Sequence, residues 1–322
     1  MKRILSGVQP SGRPHIGNYL GAMRQHIEMQ KNFECFLFIA DLHALTTVKD
    51  AEKMRSQTYD LAVSYLALGL DPKKTVFFKQ SDVSEHTELC WIFDCITKMP
   101  YLERAHAWKD AVDKGKKEVS VGLFNYPVLQ AADILLYQPD LVPVGQDQKQ
   151  HIEMSRDIAQ TFNNLFGETF KIPEPFIKEE VAVIPGTDGQ KMSKSYGNTI
   201  DIFADDATLK KQVMSIVTDS TPLEQPKDPN KCNVFNIYKL IATKPEVKEL
   251  EQKYKKGGFG YGDSKKLLLS TIMEYFKEAR SKYQEIFPKK AYVYSVLEDG
   301  AVRAKKIASK TLETAKKHIG YI

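Results

Sequence analysis

The sequence predicts an α/β domain built on a doubly wound parallel sheet, followed by an all-helical domain. Three observations carry this. Strand-like and helix-like runs alternate over the first 198 residues. A glycine-bearing turn follows the first strand-like run directly, where such sheets hold phosphates. Beyond about residue 198 strand-like runs cease and helical patterns take over. The expected domains are therefore 1–198 and 199–322, with the option that the last helix packs back on the first domain.

Ile4-Leu5-Ser6-Gly7-Val8 reads as the first strand and 19–31 as a helix. Between them lies Gln9-Pro10-Ser11-Gly12-Arg13-Pro14-His15-Ile16-Gly17-Asn18. A turn of this kind presents backbone N–H groups and the positive end of a helix to an anion. Residues 33–40 are nearly all apolar and suit a strand buried on both faces. Residues 51–68 read as a helix, with Gly69 as its C-cap and Asp71-Pro72 stopping it. Residues 75–79 form a third strand. Residues 141–145 form a fourth, in which Pro143 points to an edge or an irregular ladder. Residues 148–166 read as a helix. This order is that of a Rossmann-like sheet, with ligands at the carboxyl ends of the strands. Helices are then expected over 205–217, 233–242, 245–254, 263–286 and 297–319, separated in part by a Pro/Asp-rich piece and a Gly-rich piece.

A chain of 322 residues, 42% hydrophobic, is long enough for two domains of roughly 100–200 residues each. No run approaches the ~18 apolar residues needed to span a bilayer. Met1-Lys2-Arg3-Ile4 leads straight into a strand, so the expected location is cytoplasmic. Cys35, Cys90, Cys95 and Cys232 have neither metal-site nor disulfide-framework spacing, and no protein-built metal site is expected. The formal charge of +5 permits nucleic-acid binding without demanding it. The last 26 residues hold six Lys/Arg and three Asp/Glu. That excess fits either a solvated helix face or an RNA contact.

A second motif lies far downstream. Lys191-Met192-Ser193-Lys194-Ser195 sets two lysines three apart, with two hydroxyls, between Gly189 and Gly197. It has the character of a mobile cationic loop that closes over phosphates. The pair of motifs, in this order, resembles the HIGH and KMSKS signatures of class I aminoacyl-tRNA synthetases. Activation of an amino acid by ATP needs positioning and charge stabilisation, not a protein nucleophile. On that reading Lys191 and Lys194 supply mobile positive charge. His15 and Asn18 supply donors, and Gly17 lets the nucleotide approach the backbone. Gln9, at the end of the first strand, reaches the phosphates or the shell of a bound Mg²⁺.

Three further segments bear on the amino acid. Asp133 lies in the mostly apolar run Tyr126-Pro-Val-Leu-Gln130-Ala-Ala-Asp133-Ile-Leu-Leu-Tyr137. A buried carboxylate is costly without a partner, and an indole N–H, which only donates, is a suitable one. A helix-capping or solvent-facing Asp is the alternative. In Val142-Pro-Val144-Gly145-Gln146-Asp147-Gln148, Asp147 is placed to accept from ribose hydroxyls. Gln148 is placed to orient a substrate amine or carboxylate. His43, in Ala40-Asp41-Leu42-His43, sits at the carboxyl end of the second strand, either facing the crevice or satisfied within its loop.

With these segments the whole chain resembles the bacterial tryptophanyl-tRNA synthetase family, of the subclass that also holds the tyrosyl enzymes. Ser6-Gly-x-Gln9-Pro-Ser-Gly12 and Val217-Thr-Asp219-Ser extend the likeness to both sides. The resemblance implies that ATP, with Mg²⁺, is bound by Gln9, Pro10, Ser11, His15, Gly17, Asn18, Gly145, Gln146, Asp147, Ile184, Lys191, Met192, Ser193, Lys194 and Ser195. It implies that Asp133 binds the indole nitrogen, with Tyr126, Gln130, Gln148, His43, Val142, Val144 and Leu5 around the amino acid. The implied catalytic residues are Lys191, Lys194, Gln9 and Asn18. L-tryptophan would be activated to tryptophanyl-adenylate and transferred to the 3′ end of tRNA(Trp). A homodimer, and a helical domain that contacts the anticodon, are also implied.

The chain departs from the family pattern in four places. Asn18 stands at the fourth HIGH position. Gln130 replaces a frequent Met, and Leu5 an occasional aromatic residue. Ala111 stands where the family often has a phosphate-reaching lysine, leaving Lys109, Lys114 and Lys116 as candidates. The rival readings are a tyrosyl enzyme, which Tyr126/Gln130/Asp133 partly fits, a related nucleotidyltransferase, and a non-catalytic RNA-binding paralogue.

Overall fold

A computed structural model describes residues 1–105, 108–109, 119–145, 148–176 and 184–322. Five parallel strands form one sheet: β1 (Arg3–Val8), β2 (Glu34–Ile39), β3 (Thr75–Lys79), β4 (Leu141–Pro143) and β5 (Glu174–Phe176), in the order β3-β2-β1-β4-β5. Parallel pairing runs from Arg3↔Glu34 to Val8↔Ile39 and from Cys35↔Thr75 to Ile39↔Lys79. The side-chain period of two sends Leu37, Ile39 and Phe77 to one apolar cluster and Leu5, Phe36, Phe38 and Phe78 to another. Helix Ala51–Ala67 covers the first face, and helices Glu85–Asp94, Val121–Leu135 and Lys149–Phe166 the second.

Of the two alternatives for β4, an edge or an irregular ladder, the structure shows the second, with β4 inside the sheet. Pro143 is tolerated there because the pairing with β1 is confined to Ile4↔Leu141, so the ladder is irregular. β5 was not anticipated. Its three residues, Glu174-Pro175-Phe176, carry no strand-like alternation, and it is the edge position that admits Pro175.

The remaining chain is helical: Asp206–Met214, Asn233–Tyr238, Lys244–Lys256, Tyr261–Tyr275, Lys277–Ile286 and Lys290–His318. The helix expected over 263–286 is broken at Phe276, whose backbone (φ −100°, ψ 8°) leaves the helical region while its ring is buried. The last helix begins at Lys290, not 297. Its first turns carry Tyr292, Val293 and Tyr294, which are weak helix formers, and burial of Val293 compensates. This helix returns to the sheet. Val293, Val296 and Leu297 enter the first apolar cluster, and Ala301, Ala304, Ala308, Leu312 and Ala315 the second. Arg303 Nη2 donates to the carbonyls of Pro72 (2.7 Å) and Thr75 (3.2 Å). The helix thereby covers the edge strand β3, which would otherwise expose unpaired backbone groups.

Candidate active site

The two motifs meet at the carboxyl end of β1. His15 caps the helix that starts at Ile16: its Nδ1 accepts from Asn18 N–H (3.2 Å), and Asn18 Oδ1 accepts from His15 N–H (3.1 Å). An accepting Nδ1 leaves the proton of a neutral imidazole on Nε2. Burial, and behind it the charge of Lys194, lowers the His15 pKa to about 4 and keeps the ring neutral. The lysine loop lies across this turn. Lys194 Nζ donates to Ser11 O (2.7 Å), Gly17 N–H points at Met192 Sδ (3.3 Å), and Ile16 N–H donates to Ile200 O (2.9 Å). A side chain at Gly17 would place its Cβ 2.9 Å from His15 Nδ1 and 3.3 Å from Met192 Cβ, so glycine is required for this approach.

Between the segments lies a cavity of about 540 Å³, lined by Ser11, His15, Gly17, Asn18 and residues 191–196. That is the size of a nucleotide-class pocket. Lys191 and Lys194 are exposed at its mouth. Although the Lys194 side chain as a whole is exposed, the surrounding protein partly desolvates its ammonium and lowers its pKa, while Asp201 and Asp60 act in the opposite sense. Asn198, only 2% exposed, organises the loop base: its Oδ1 accepts from Ser193 N–H (2.7 Å), and its Nδ2 donates to Asp188 Oδ1 (2.7 Å) and Lys191 O (3.1 Å). The helical part of the chain touches the same turn. Arg13 Nε lies 3.4 Å from Asp60 Oδ2, and the Tyr283 hydroxyl donates to Asp60 Oδ1. Gln9 is exposed and is not among the residues that line this cavity, Pro10 is buried, and Ile184 packs with Met192 in the first apolar cluster.

The second half of the site is buried. Asp133, 1% exposed, projects from the Val121–Leu135 helix. Its Oδ1 accepts from Gln80 Nε2 (2.7 Å) and bonds His86 Nδ1 (2.6 Å); its Oδ2 bonds His43 Nε2 (2.7 Å). The expected costly buried carboxylate is thus present, and the chain itself supplies three partners. Burial alone raises its pKa, but His43 and His86 outweigh that and hold it at about 2. A carboxylate has about four acceptor positions. Three are used, and one remains on Oδ2.

Tyr126 lies on the same helix face as Asp133, seven residues earlier, and its ring meets His43 edge-on at 6.1 Å. Tyr126 Oη bonds His151 Nε2 (2.9 Å), and His151 Nδ1 bonds Gln148 Oε1 (2.9 Å). Leu5 and Val142 belong to the apolar cluster around Asp133, and Val144 packs partly against it. Gln130 is half-buried and Gly145 exposed. Gln146, Asp147, Lys114 and Lys116 lie outside the described residues; Lys109 is exposed. Sequence reading missed Gln80, His86 and Asn198. Their signal is long-range: Gln80 and His86 stand 53 and 47 residues from Asp133.

Two histidines make stability pH-dependent. Burial also takes His26 to about 4, with its Nδ1 2.9 Å from Tyr65 Oη. For both rings the folded value lies below the unfolded one. The unfolded chain then binds more protons between about pH 4 and 6.5, so stability is full above 6.5 and falls as pH drops through that window. Lowering pH from 7 to 5 is expected to cost about 2 kcal/mol, read as a lower urea midpoint, after discounting for the partial exposure of His26. His26→Gln should remove part of that slope.

The family described as class I tRNA synthetases (W and Y) matches this sequence over residues 1–277. The chain belongs to this family. Among its members, a protein of Fusobacterium nucleatum named tryptophan–tRNA ligase is 52% identical over 323 residues, spanning 100% of this chain and 99% of that one. One of the same name from Campylobacter jejuni is 52% identical over 318 residues, covering 99% of each. The solved C. jejuni tryptophanyl-tRNA synthetase, in complex with ADP and tryptophan, matches with a TM-score of 0.94 at 52% identity over 99% of both chains. A tyrosyl-tRNA synthetase of Archaeoglobus fulgidus, at 22% identity and a TM-score of 0.64, shares the fold alone. Within the synthetase family, the similarity runs to the tryptophan branch.

Proposed function

We propose that the mouth between the two motifs binds ATP and that the Asp133 cluster binds the indole of L-tryptophan. The chain activates tryptophan with ATP, forming tryptophanyl-adenylate and pyrophosphate, and then transfers tryptophan to the 3′ end of tRNA(Trp). The observation that carries the site reading is the contact of Lys194 with Ser11, which brings two segments 183 residues apart onto one cavity.

The tryptophan carboxylate attacks the α-phosphate in line. Lys191 and Lys194 meet the charge that grows on the departing pyrophosphate. His15 and Asn18, fixed by their mutual capping bonds, hold the helix N-terminus toward the phosphates. Ser11 lines the cavity, Gln9 at the end of the first strand is assigned to the phosphates, and Gln146, Asp147 and Gly145 belong to the ribose side of the same reading. The mouth offers neutral hydroxyl and amide oxygens, a donor set that suits hydrated Mg²⁺ carried in on the phosphates, and when bound that ion neutralises phosphate charge. On the amino-acid side, the open position on Asp133 Oδ2 takes the indole N–H, Gln148 orients the amine or carboxylate, and Tyr126, Gln130, Leu5, Val142 and Val144 shape the pocket.

The domain reading of 1–198 and 199–322 stands as part of the proposal, the second serving the anticodon, with helix Lys290–His318 packed on the first. Homodimerisation belongs to it too, and the 67%-exposed Trp91 is apolar surface that supports it. Among the described residues no helix is long and apolar enough to cross a membrane. The test is amino-acid-dependent ATP–pyrophosphate exchange with tryptophan, tyrosine and phenylalanine. Exchange with tryptophan alone is expected; exchange with tyrosine would overturn the pocket.

A further inference from the structure

Behind Asp133 stands a tyrosine that no part of the mechanism has used. Tyr137 is fully buried, with its ring 5.2 Å from Phe36, 5.7 Å from Phe78 and 5.5 Å from His86. Its hydroxyl lies 2.8 Å from His86 Nε2, and His86, itself fully buried, turns Nδ1 toward Asp133 Oδ1 at 2.6 Å. The three groups form a line ending at the carboxylate. We infer that Tyr137 is a positioning residue that acts through His86 to hold Asp133 as an oriented acceptor for the indole N–H, and thereby helps to select tryptophan. This rests on the reading that Asp133 receives that N–H.

The chemistry is that of tautomer control. An ionised Asp133 can only accept, so the nitrogen facing it must carry a proton. In a neutral imidazole with Nδ1–H, the other nitrogen is a bare acceptor. Its partner must donate, and a phenol does. Burial raises the Tyr137 pKa, and Asp133 and Glu85 raise it further, so the hydroxyl keeps its proton. Without that hydroxyl, His86 Nε2 would be buried and unpaired. The ring could then regain a partner for Nε2 only by moving, because a proton exchanged to Nε2 would find no acceptor there and would break the bond to Asp133. Such a movement would draw Nδ1–H away from Oδ1 and disturb the acceptor left on Oδ2. Gln80 Nε2 shares Oδ1 and would hold the carboxylate only in part.

The experiment compares tryptophan with its benzothienyl analogue, in which sulfur replaces the indole N–H. The readout is the ratio of their kcat/KM values in ATP–pyrophosphate exchange. The unaltered protein should prefer tryptophan by a hundredfold or more, on the order expected for a site with a buried polar group to pair. In Tyr137→Phe, which keeps the ring and its packing, the ratio should fall about tenfold, through a raised KM for tryptophan with kcat little changed. His86→Asn offers an amide donor that has no tautomer, so it should keep the preference. Adding Tyr137→Phe to it should then change nothing further. Nitrogen-15 spectra of the unaltered protein should show His86 neutral with its proton on Nδ1.

The outcomes separate. No preference in the unaltered protein would overturn the Asp133–indole reading itself. A normal preference that Tyr137→Phe retains, or an equal loss for both substrates, would overturn the relay and leave Tyr137 a packing residue. If Tyr137→Phe fails to fold, the spectrum decides: a proton on Nε2 alone, or an imidazolium, overturns the proposal.

Discussion

Lys194→Ala is expected to slow adenylate formation about 10²- to 10³-fold, some 2.7–4 kcal/mol of transition-state stabilisation, while the KM for tryptophan stays nearly constant. The size follows from where the charge stands. Lys194 reaches from an exposed loop to Ser11 O, so its ammonium is already beside the cavity proposed for ATP. A unit charge about 4 Å from a developing oxyanion is worth about 4 kcal/mol at an effective dielectric near 20, and loop closure moves the site toward that regime. Lys191 remains in the variant, which sets an upper limit on the loss. The folded state should be almost unaffected, because the deleted side chain is exposed and its one hydrogen bond is to a surface carbonyl. Rapid-quench measurement of adenylate formation at saturating ATP and tryptophan gives the rate, and thermal unfolding gives the control. An unchanged rate would remove Lys194 from the chemistry.

Those parts of the candidate site were legible in the sequence in which the proposed function and local structure share a segment. The turn at 9–18 is strand, glycine turn and capped helix in one continuous piece. The lysine loop declares itself by its two lysines and flanking glycines. Asp133 stood out because a carboxylate among aliphatics demands partners, but which partners could not be read. Gln80 and His86 follow β3 and reach Asp133 only because the sheet brings that end of β3 beside the Val121–Leu135 helix. Asn198 looks like any loop polar residue until three of its bonds are seen to pin the lysine loop. The fold was legible to the same degree. Long apolar strands were found, whereas the three-residue β5 and the break at Phe276 depend on neighbours remote in sequence. The return of the last helix to β3 left one local trace, a glycine in mid-helix.

That glycine makes the strongest demand in the scaffold. A Cβ at Gly300 would lie 1.8 Å from Phe77 O and 2.5 Å from Phe77 C, backbone atoms of β3 that no rotamer change can move aside. Gly300→Ala should favour the isolated helix by about 1 kcal/mol, because alanine is the better helix former. Tertiary packing reverses the sign. To relieve the clash, the helix must lift from the strand along the stretch where Val296, Leu297, Ala301 and Ala304 are buried, and Arg303 must loosen its bonds to Pro72 and Thr75. Overpacking against side chains costs about 1–3 kcal/mol, and a rigid backbone neighbour places this case at or above the top of that range. With an unfolding entropy of about 2.1 cal/mol/K per residue, a chain of 322 residues shifts by about 1.5 °C per kcal/mol, so the melting temperature should fall by roughly 4–6 °C. The same lift would uncover the β3 edge, so the variant should also aggregate more readily on heating. Phe77 lies on the strand that leads to Gln80, so a shift of β3 should carry into the Asp133 cluster as well. Calorimetry on the variant, with the KM for tryptophan measured alongside, tests both. An unchanged melting temperature would mean that the last helix does not seat on β3.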